Sequence, residues 1–178
     1  MKNSTNACFI FVEGETEKWL FYNLKQIGKI QAKKIVIKNF WCDDLKKYAI
    51  NIPKNSIIYV IFDTDVIRTP NKFIDNVKYL MSRKHTVFLC QQTKNFEEEL
   101  AFCCSISPKK LFNLFCKNKS SGSGDFKRDF ISCSNPVSRL SALGINKEKL
   151  FSRDLHPSLA QLIENKCIFA EHFPFRIE

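Results

Sequence analysis

The chain has few local signals of cysteine or histidine chemistry, and its acids are scarce. None of its eight cysteines forms a Cys-x-x-Cys pair, so structural zinc has no local support. The vicinal pair Cys103-Cys104 is the only adjacent one. Three histidines, His85, His156 and His172, are scattered, and none is placed to be catalytic. No apolar run has membrane length, and no signal peptide is recognisable. These absences imply a cytoplasmic protein with reduced thiols and no membrane partner. No internal repeat is found. Gly122-Ser123-Gly124-Asp125-Phe126-Lys127 lacks both the spacing and the upstream strand of a phosphate-binding P-loop.

What is present is a chain of 178 residues, 44% hydrophobic and 13% aromatic, enough for a sizeable core. Seventeen phenylalanines are many for this length. They imply a phenylalanine-rich core, with stacking platforms for bases as the other use. Lys and Arg number 28 against 18 Asp and Glu, a formal charge of +10. The positive excess lies in residues 1–94 and 108–150, separated by the acidic stretch Glu97-Glu98-Glu99. Such a field suits nucleic acid, an acidic membrane or an acidic protein, or a surface that only keeps the chain soluble.

Apolar runs at 7–12, 34–37, 57–62 and 86–90 read as strands, the third being the most continuous and β-branched. Helical patterns follow at 15–27, from Asp43-Asp44 to about Ile50, and from Pro70 to about Arg83. Gly14 allows a tight or left-handed turn, and Gly28 is a C-cap. The order β-α-β-α-β-α-β predicts an α/β fold with a parallel sheet covered by helices. The second half reads as helical, at 96–104, 108–116 and from Pro157, with short helices at 126–130 and 137–143. Lys117 to Asp125 is the clearest loop by composition. The predicted organisation is an α/β core over 1–94 and a basic, mostly helical extension over 95–178.

Five of the eight acids in residues 1–94 fall in two clusters. Glu13-Gly14-Glu15-Thr16-Glu17 follows the first strand, and Asp63-Thr64-Asp65 follows the third. Both lie where parallel strands end, the edge at which open α/β sheets bind ligands. On an extended segment Asp63 and Asp65 would point the same way, with Cα atoms roughly 6.5 Å apart. Two carboxylates so spaced can share a Mg²⁺, which takes oxygen ligands and leaves room for water and phosphate. Glu13 would reach the same edge, as a ligand or as a general acid or base. Each acid also has a plainer use: Glu15 and Glu17 favour a helix N-terminus, and Asp63 or Asp65 could serve a turn.

Strand-Glu-Gly-x-Thr-Glu-helix, followed some fifty residues later by strand-Asp-x-Asp, resembles the TOPRIM fold over about residues 7–91. That fold is shared by topoisomerases, bacterial primases, OLD-family nucleases, small RNA-maturation nucleases and RloB-like proteins. The resemblance implies that Glu13 is the acid/base or first metal ligand and that Asp63 and Asp65 bind Mg²⁺ or Mn²⁺, with Glu17 a less direct carry-over. The chain is short for a topoisomerase, lacks a tyrosine beyond Tyr79, and lacks a primase's template-binding modules. Asn95-Phe96-Glu97-Glu98-Glu99 is similar to a stretch in RloB-like proteins that presents a further carboxylate, with one residue missing. On that likeness Glu97 is the additional ligand and Glu98 the fallback, against a merely solvated helix start. RloB-like proteins are associated with anti-phage loci, often beside an ATPase, which implies such a partner here. Residues 125–178 do not follow that pattern.

Lys109, Lys110, Lys117, Lys119, Lys127 and Arg128 surround the Ser-Gly segment and are candidates for phosphate contact, with Lys127 as a transition-state cation. The expected function is Mg²⁺-dependent cleavage of DNA or RNA. A non-catalytic nucleic-acid-binding or regulatory subunit is the alternative, and phosphotransfer on a nucleotide the third reading.

Overall fold

The computed structural model describes residues 6–67, 69–116 and 122–172. Four strands form one all-parallel sheet in the order β2-β1-β3-β4. They are β1 (Cys8–Val12), β2 (Lys34–Ile37), β3 (Ile57–Asp63) and β4 (Thr86–Gln92). The helices joining them are α1 (Glu15–Gln26), α2 (Lys46–Ala49) and α3 (Pro70–Ser82). Then come α4 (Phe96–Cys103), α5 (Pro108–Phe115), α6 (Ser123–Ser132), α7 (Pro136–Ala142) and α8 (Phe169–His172). The expected α/β class and parallel sheet are thus observed, and among the described residues no helix is long and apolar enough to cross a membrane.

The strands are apolar on both faces because both faces are covered. Ile10, Val12, Tyr59, Ile61 and Cys90 face a layer built from α1, α4, α5, α6, α7 and α8. Phe9, Phe11, Ile58, Val60, Phe62, Val87 and Leu89 face α2, α3 and the 3-10 segment Pro157–Asn165. Residues on both sides of position 94 therefore contribute to both layers. No Phe is among the exposed large apolar side chains of the described residues; most are core, and Phe88, Phe102 and Phe112 are half-buried against it. Phe115, Phe126 and Phe130 form one such knot, with ring centroids 5.1–5.5 Å apart.

The outer edge of β4 does not stay open. Asn165 donates its side-chain amide to the Val87 carbonyl at 3.0 Å, and the Cys167 N–H donates to Leu89 at 2.8 Å. The C-terminal segment thereby occupies an edge that could otherwise pair with another chain.

Three local expectations are corrected. The second helix starts at Lys46, not at Asp43-Asp44, because both aspartates are spent on turns. Asp43 accepts from the Asn39 N–H at 3.0 Å and Asp44 from the Lys46 N–H at 3.0 Å. Ser123 to Asp125 is the first turn of α6, not loop, since Gly122 serves as the N-cap and Phe126 and Phe130 anchor the helix in the core. The segment from Pro157 is 3-10 helix with a break at Leu162. Gly28 does take the left-handed conformation after α1, φ +72°.

Candidate functional site

Glu13 is the first residue beyond β1, and Asp63 is the last of β3, its immediate neighbour in the sheet. Parallel pairing makes both strands end on the same edge, so the two carboxyls meet there. Glu13 accepts a hydrogen bond from the Asp63 backbone. The adjacent helices supply two more acids. Glu17 lies in the first turn of α1 and Glu97 in the first turn of α4, and they are only 5% and 2% exposed.

Asp65 departs from the extended geometry expected of it. β3 ends at Asp63, Asp65 sits in an exposed bend, and strand alternation does not carry through to it. The cause is Thr64, which stitches the two strand ends together. Its N–H donates to the Lys94 carbonyl at 2.9 Å, its hydroxyl donates to Gln92 at 3.2 Å, and that hydroxyl accepts from the Lys94 N–H at 2.9 Å. Asp65 still acts electrostatically on both Glu13 and Asp63.

Five carboxylates therefore share one field. Burial pushes the Asp63 carboxyl up to about 9, and the negative charges of Glu17, Glu13, Asp65 and Glu97 add to it. Glu13 rises to about 7, through burial first and Glu17 next, while hydrogen bonding from Asp63 and Trp41 opposes the rise. Glu17 is raised mainly by burial, with the Lys127 ammonium opposing. Glu17 also serves the helix end, accepting from the backbone N–H groups of Gly14 and of Glu17 itself, so its helix-terminal role stands beside its burial at this edge.

Glu97 is likewise not a solvated helix start. The Ser123 hydroxyl donates to its Oε1 at 3.2 Å, and the Lys127 ammonium stands 3.5 Å from the same atom. Its Oε2 is buried without a partner, as is Glu13 Oε1. Glu98 points elsewhere: it sits 3.9 Å from Lys94, on the more exposed side of α4, whose N-terminus Asn95 caps at 3.0 Å. Lys127 thus reaches this edge from α6, with its own side chain about half exposed.

The other basic candidates are less tightly grouped. Lys109 and Lys110 are exposed in the first turn of α5. Arg128 is engaged by Asp125 at 2.8 Å and Asp129 at 3.4 Å on its own helix. Lys117 and Lys119 lie outside the described residues. A groove between α5, α6 and α7, lined by Phe115, Cys133 and Arg139, contains none of the five carboxylates.

The vicinal cysteines and His156 are placed away from nucleophilic or ligand chemistry. The eight cysteines are free, and burial raises the Cys103 and Cys104 thiols, which makes them poor nucleophiles. His156 caps the segment at Pro157 through its ring nitrogen, accepting from the Ser158 N–H at 3.3 Å.

Gly14 has a different purpose from the one its turn suggested. Its φ of −137° is open to any residue, so no left-handed backbone is needed. A Cβ there would lie 2.9 Å from Glu17 Oε2, which shows the Glu17 carboxylate folded back over the glycine. Sequence reading missed Trp41, whose indole N–H donates to the Asp63 carbonyl at 3.0 Å. It missed Glu99 as well, which is fully buried against Arg153 and accepts from the Thr93 N–H just beyond β4.

The donor set suits a hard divalent cation. It is all oxygen, it carries two buried carboxylate oxygens without partners, and it lies within a basic protein. The carboxylates are not drawn together into a finished coordination shell: among the described residues no group of three or more acidic, histidine or cysteine side chains is spaced to hold a metal. Like charges at this spacing repel, and Lys127 and protonation of Asp63 provide the compensation. Comparison with family models, with curated proteins and with solved structures finds no match to this chain.

Proposed function

We propose that this edge of the sheet binds Mg²⁺ or Mn²⁺ and that the protein is a nuclease cleaving phosphodiester bonds of DNA or RNA. The observation that carries the reading is the gathering of Glu13, Glu17, Asp63, Asp65 and Glu97 at one strand edge of a protein with a formal charge of +10. Burial and the neighbouring negative charges raise the Asp63, Glu13 and Glu17 carboxyls and cost stability, which is the pattern expected where function requires such acids. The TOPRIM resemblance agrees in its order of elements, with Glu after β1 and Asp at the end of β3.

Asp63, Asp65 and Glu13 would hold the cation, with Glu97 and Glu17 completing the acidic wall. When bound, the cation would polarise the scissile phosphate and make water a better nucleophile. Were Glu13 instead to act as the general acid or base, its carboxyl, which burial pushes up to about 7 without a cation, would exchange a proton with the reacting oxygen atoms. Lys127 would turn from Glu97 towards the phosphate and meet the charge that develops there. Lys109, Lys110, Lys117, Lys119 and Arg128 would add sequence-independent affinity that weakens with salt. A role in anti-phage defence, with an ATPase partner, rests on the resemblance to RloB-like proteins, and a cytoplasmic location on the cysteine usage and the lack of a recognisable signal peptide.

The test is incubation of the purified chain with labelled single- and double-stranded DNA and with total RNA, in Mg²⁺ or Mn²⁺. Cleavage should occur and should fall by about a hundredfold or more in the Asp63→Asn, Asp65→Asn double variant while binding persists. Binding by both proteins with cleavage by neither favours the non-catalytic subunit. Turnover of nucleotides without polymers favours phosphotransfer.

Gly14→Ala gives a subtler check. The backbone accepts alanine, so thermal stability should stay within about 1 kcal/mol of wild type. The displaced Glu17 carboxylate should lower Mn²⁺ affinity by about tenfold, read by calorimetry. Unchanged affinity would remove Glu17 from the site.

A further inference from the structure

Residues 38–45, between β2 and α2, form a loop tied down from several sides. Within it the Asn39 side chain accepts from the Trp41 N–H at 2.9 Å, and the Asp43 N–H donates to the Asn39 carbonyl at 2.8 Å. From α3 the buried Asn76 uses its whole amide on the same loop. It donates to the carbonyls of Phe40 at 3.0 Å and Asp43 at 2.9 Å, and accepts from the Leu45 N–H at 3.3 Å. The Thr69 hydroxyl donates to the Trp41 carbonyl. A buried asparagine satisfied in this way specifies one loop conformation, since any other would leave its amide unpaired.

The product of this anchoring is the placement of one indole. Trp41 is buried, its ring 4.4 Å from Phe73 and 5.9 Å from Phe62 by centroid. Its N–H donates to the Asp63 carbonyl at 3.0 Å, at the point where β3 leaves the sheet. The indole also acts on the neighbouring Glu13 carboxylate, opposing the rise in its pKa as the Asp63 backbone does. One donor therefore bonds the end of β3 and acts on the acid that follows β1, its neighbour in the sheet. A tryptophan there only for packing could give its N–H to any nearby carbonyl; this one reaches the backbone of the residue most crowded by negative charge.

We propose that Trp41 is a positioning residue for the acidic edge, its indole N–H holding the end of β3 and the Glu13 carboxylate in the mutual placement that a divalent cation requires. The inference rests on the cation-binding reading above. Outer partners of this kind orient ligands that they do not replace, and their loss commonly weakens metal binding by roughly ten- to a hundredfold.

The experiment is Mn²⁺ titration, by calorimetry and by loss of the free-ion EPR signal, on the intact chain and two variants. Trp41→Phe keeps a ring on Phe73 and removes the N–H. Phe73→Leu loosens the packing beneath the indole and keeps the N–H. Both should lower the melting temperature, but only Trp41→Phe should weaken Mn²⁺ binding, by about tenfold or more. Equal affinity in Trp41→Phe and wild type, or equal loss in both variants, overturns the proposal. Should Trp41→Phe not fold, benzothienylalanine at position 41, in the Trp19→Phe background, keeps the indole shape with sulfur in place of N–H and must show the same loss. Wild-type protein that takes up no Mn²⁺ refutes the cation reading, and this inference with it; wild-type binding that survives removal of the N–H refutes the inference alone.

Discussion

At pH 8 the Asp63→Asn variant should melt several degrees above the wild-type protein, although it loses the carboxylate most central to the site. The ordinary carboxyl pKa of about 4 is raised in the folded state to about 9. Between these values the native protein keeps a proton that the unfolded chain releases. Stability is therefore fully present below about pH 4 and is lost progressively as pH rises towards 9. Asparagine has nothing to ionise and escapes the loss. Each tenfold difference in proton affinity between the folded and unfolded chain is worth about 1.4 kcal/mol at most. Water reaches the outer side of the carboxyl and screens part of it, so about 2 kcal/mol at pH 8 is expected. For a chain of this size that is about 4–8 °C.

The gap should shrink to nothing near pH 4, where both proteins are neutral at this position. Glu13→Gln should show the same sign over a narrower window, growing from about pH 4.5 to pH 7 and then staying level. Saturating Mn²⁺ should reverse the order, because only the wild type retains the full set of carboxylates. A ligand at about a hundred times its dissociation constant stabilises by about 2.7 kcal/mol. Differential scanning fluorimetry at pH 4, 6 and 8, with and without Mn²⁺, reads all of this. Equal melting temperatures at pH 8 would mean that Asp63 is not in a crowded acidic pocket.

The fold was legible in the sequence because parallel strands buried on both faces appear as continuous apolar runs. Ile57 to Phe62 could hardly be anything else, and the observed strand adds only Asp63. The pairing of Glu13 with Asp63 was legible for the same reason, since parallel strands end on one edge. The burial of Glu17 was not. A glutamate in a first helical turn ordinarily faces water, and only the glycine three residues earlier gives its carboxylate somewhere to fold. Glu97 depended on α6, whose first turn carries the Ser123 hydroxyl that meets it, and that turn is written in Gly and Ser that read as loop. Trp41 was silent because nothing in Trp41-Cys42-Asp43 indicates where an indole N–H will point. That is decided by Asn76, 35 positions along the chain.

Glu99 shows the same limit and carries the second large effect. Its carboxylate is fully buried and has three partners. Oε1 accepts from the Phe151 N–H at 2.8 Å; Oε2 accepts from the Thr93 N–H at 3.4 Å and pairs with the Arg153 guanidinium. Arg153 in turn lies 4.4 Å over the Phe102 ring. The knot joins the end of β4, helix α4 and the chain at 151–153, a stretch where Phe151 itself takes a φ of +61°. No local pattern announces a partnership 54 positions apart.

Glu99→Ala should cost about 3–5 kcal/mol, because it strands a half-buried cation and two backbone N–H groups at once. The melting temperature should fall by about 6–20 °C. Glu99→Leu combined with Arg153→Leu should be less damaged than either single change, since an apolar pair needs no charge compensation. Additive losses in that cycle would show that the two residues stabilise separately.

The knot also bears on the site. Glu97 and Glu99 are two positions apart on one helix, about 200° around its axis. Fixing Glu99 against Arg153 and Phe151 therefore turns Glu97 to the acidic edge. If α4 is held there by Glu99, the Glu99→Leu, Arg153→Leu protein should recover stability yet bind Mn²⁺ more weakly than wild type. Apolar side chains restore burial but not the directional bonds to Thr93 and Phe151 that set the rotation of the helix. Recovery of both stability and affinity would separate the two, leaving Glu99 a stabilising residue with no influence on the edge it backs.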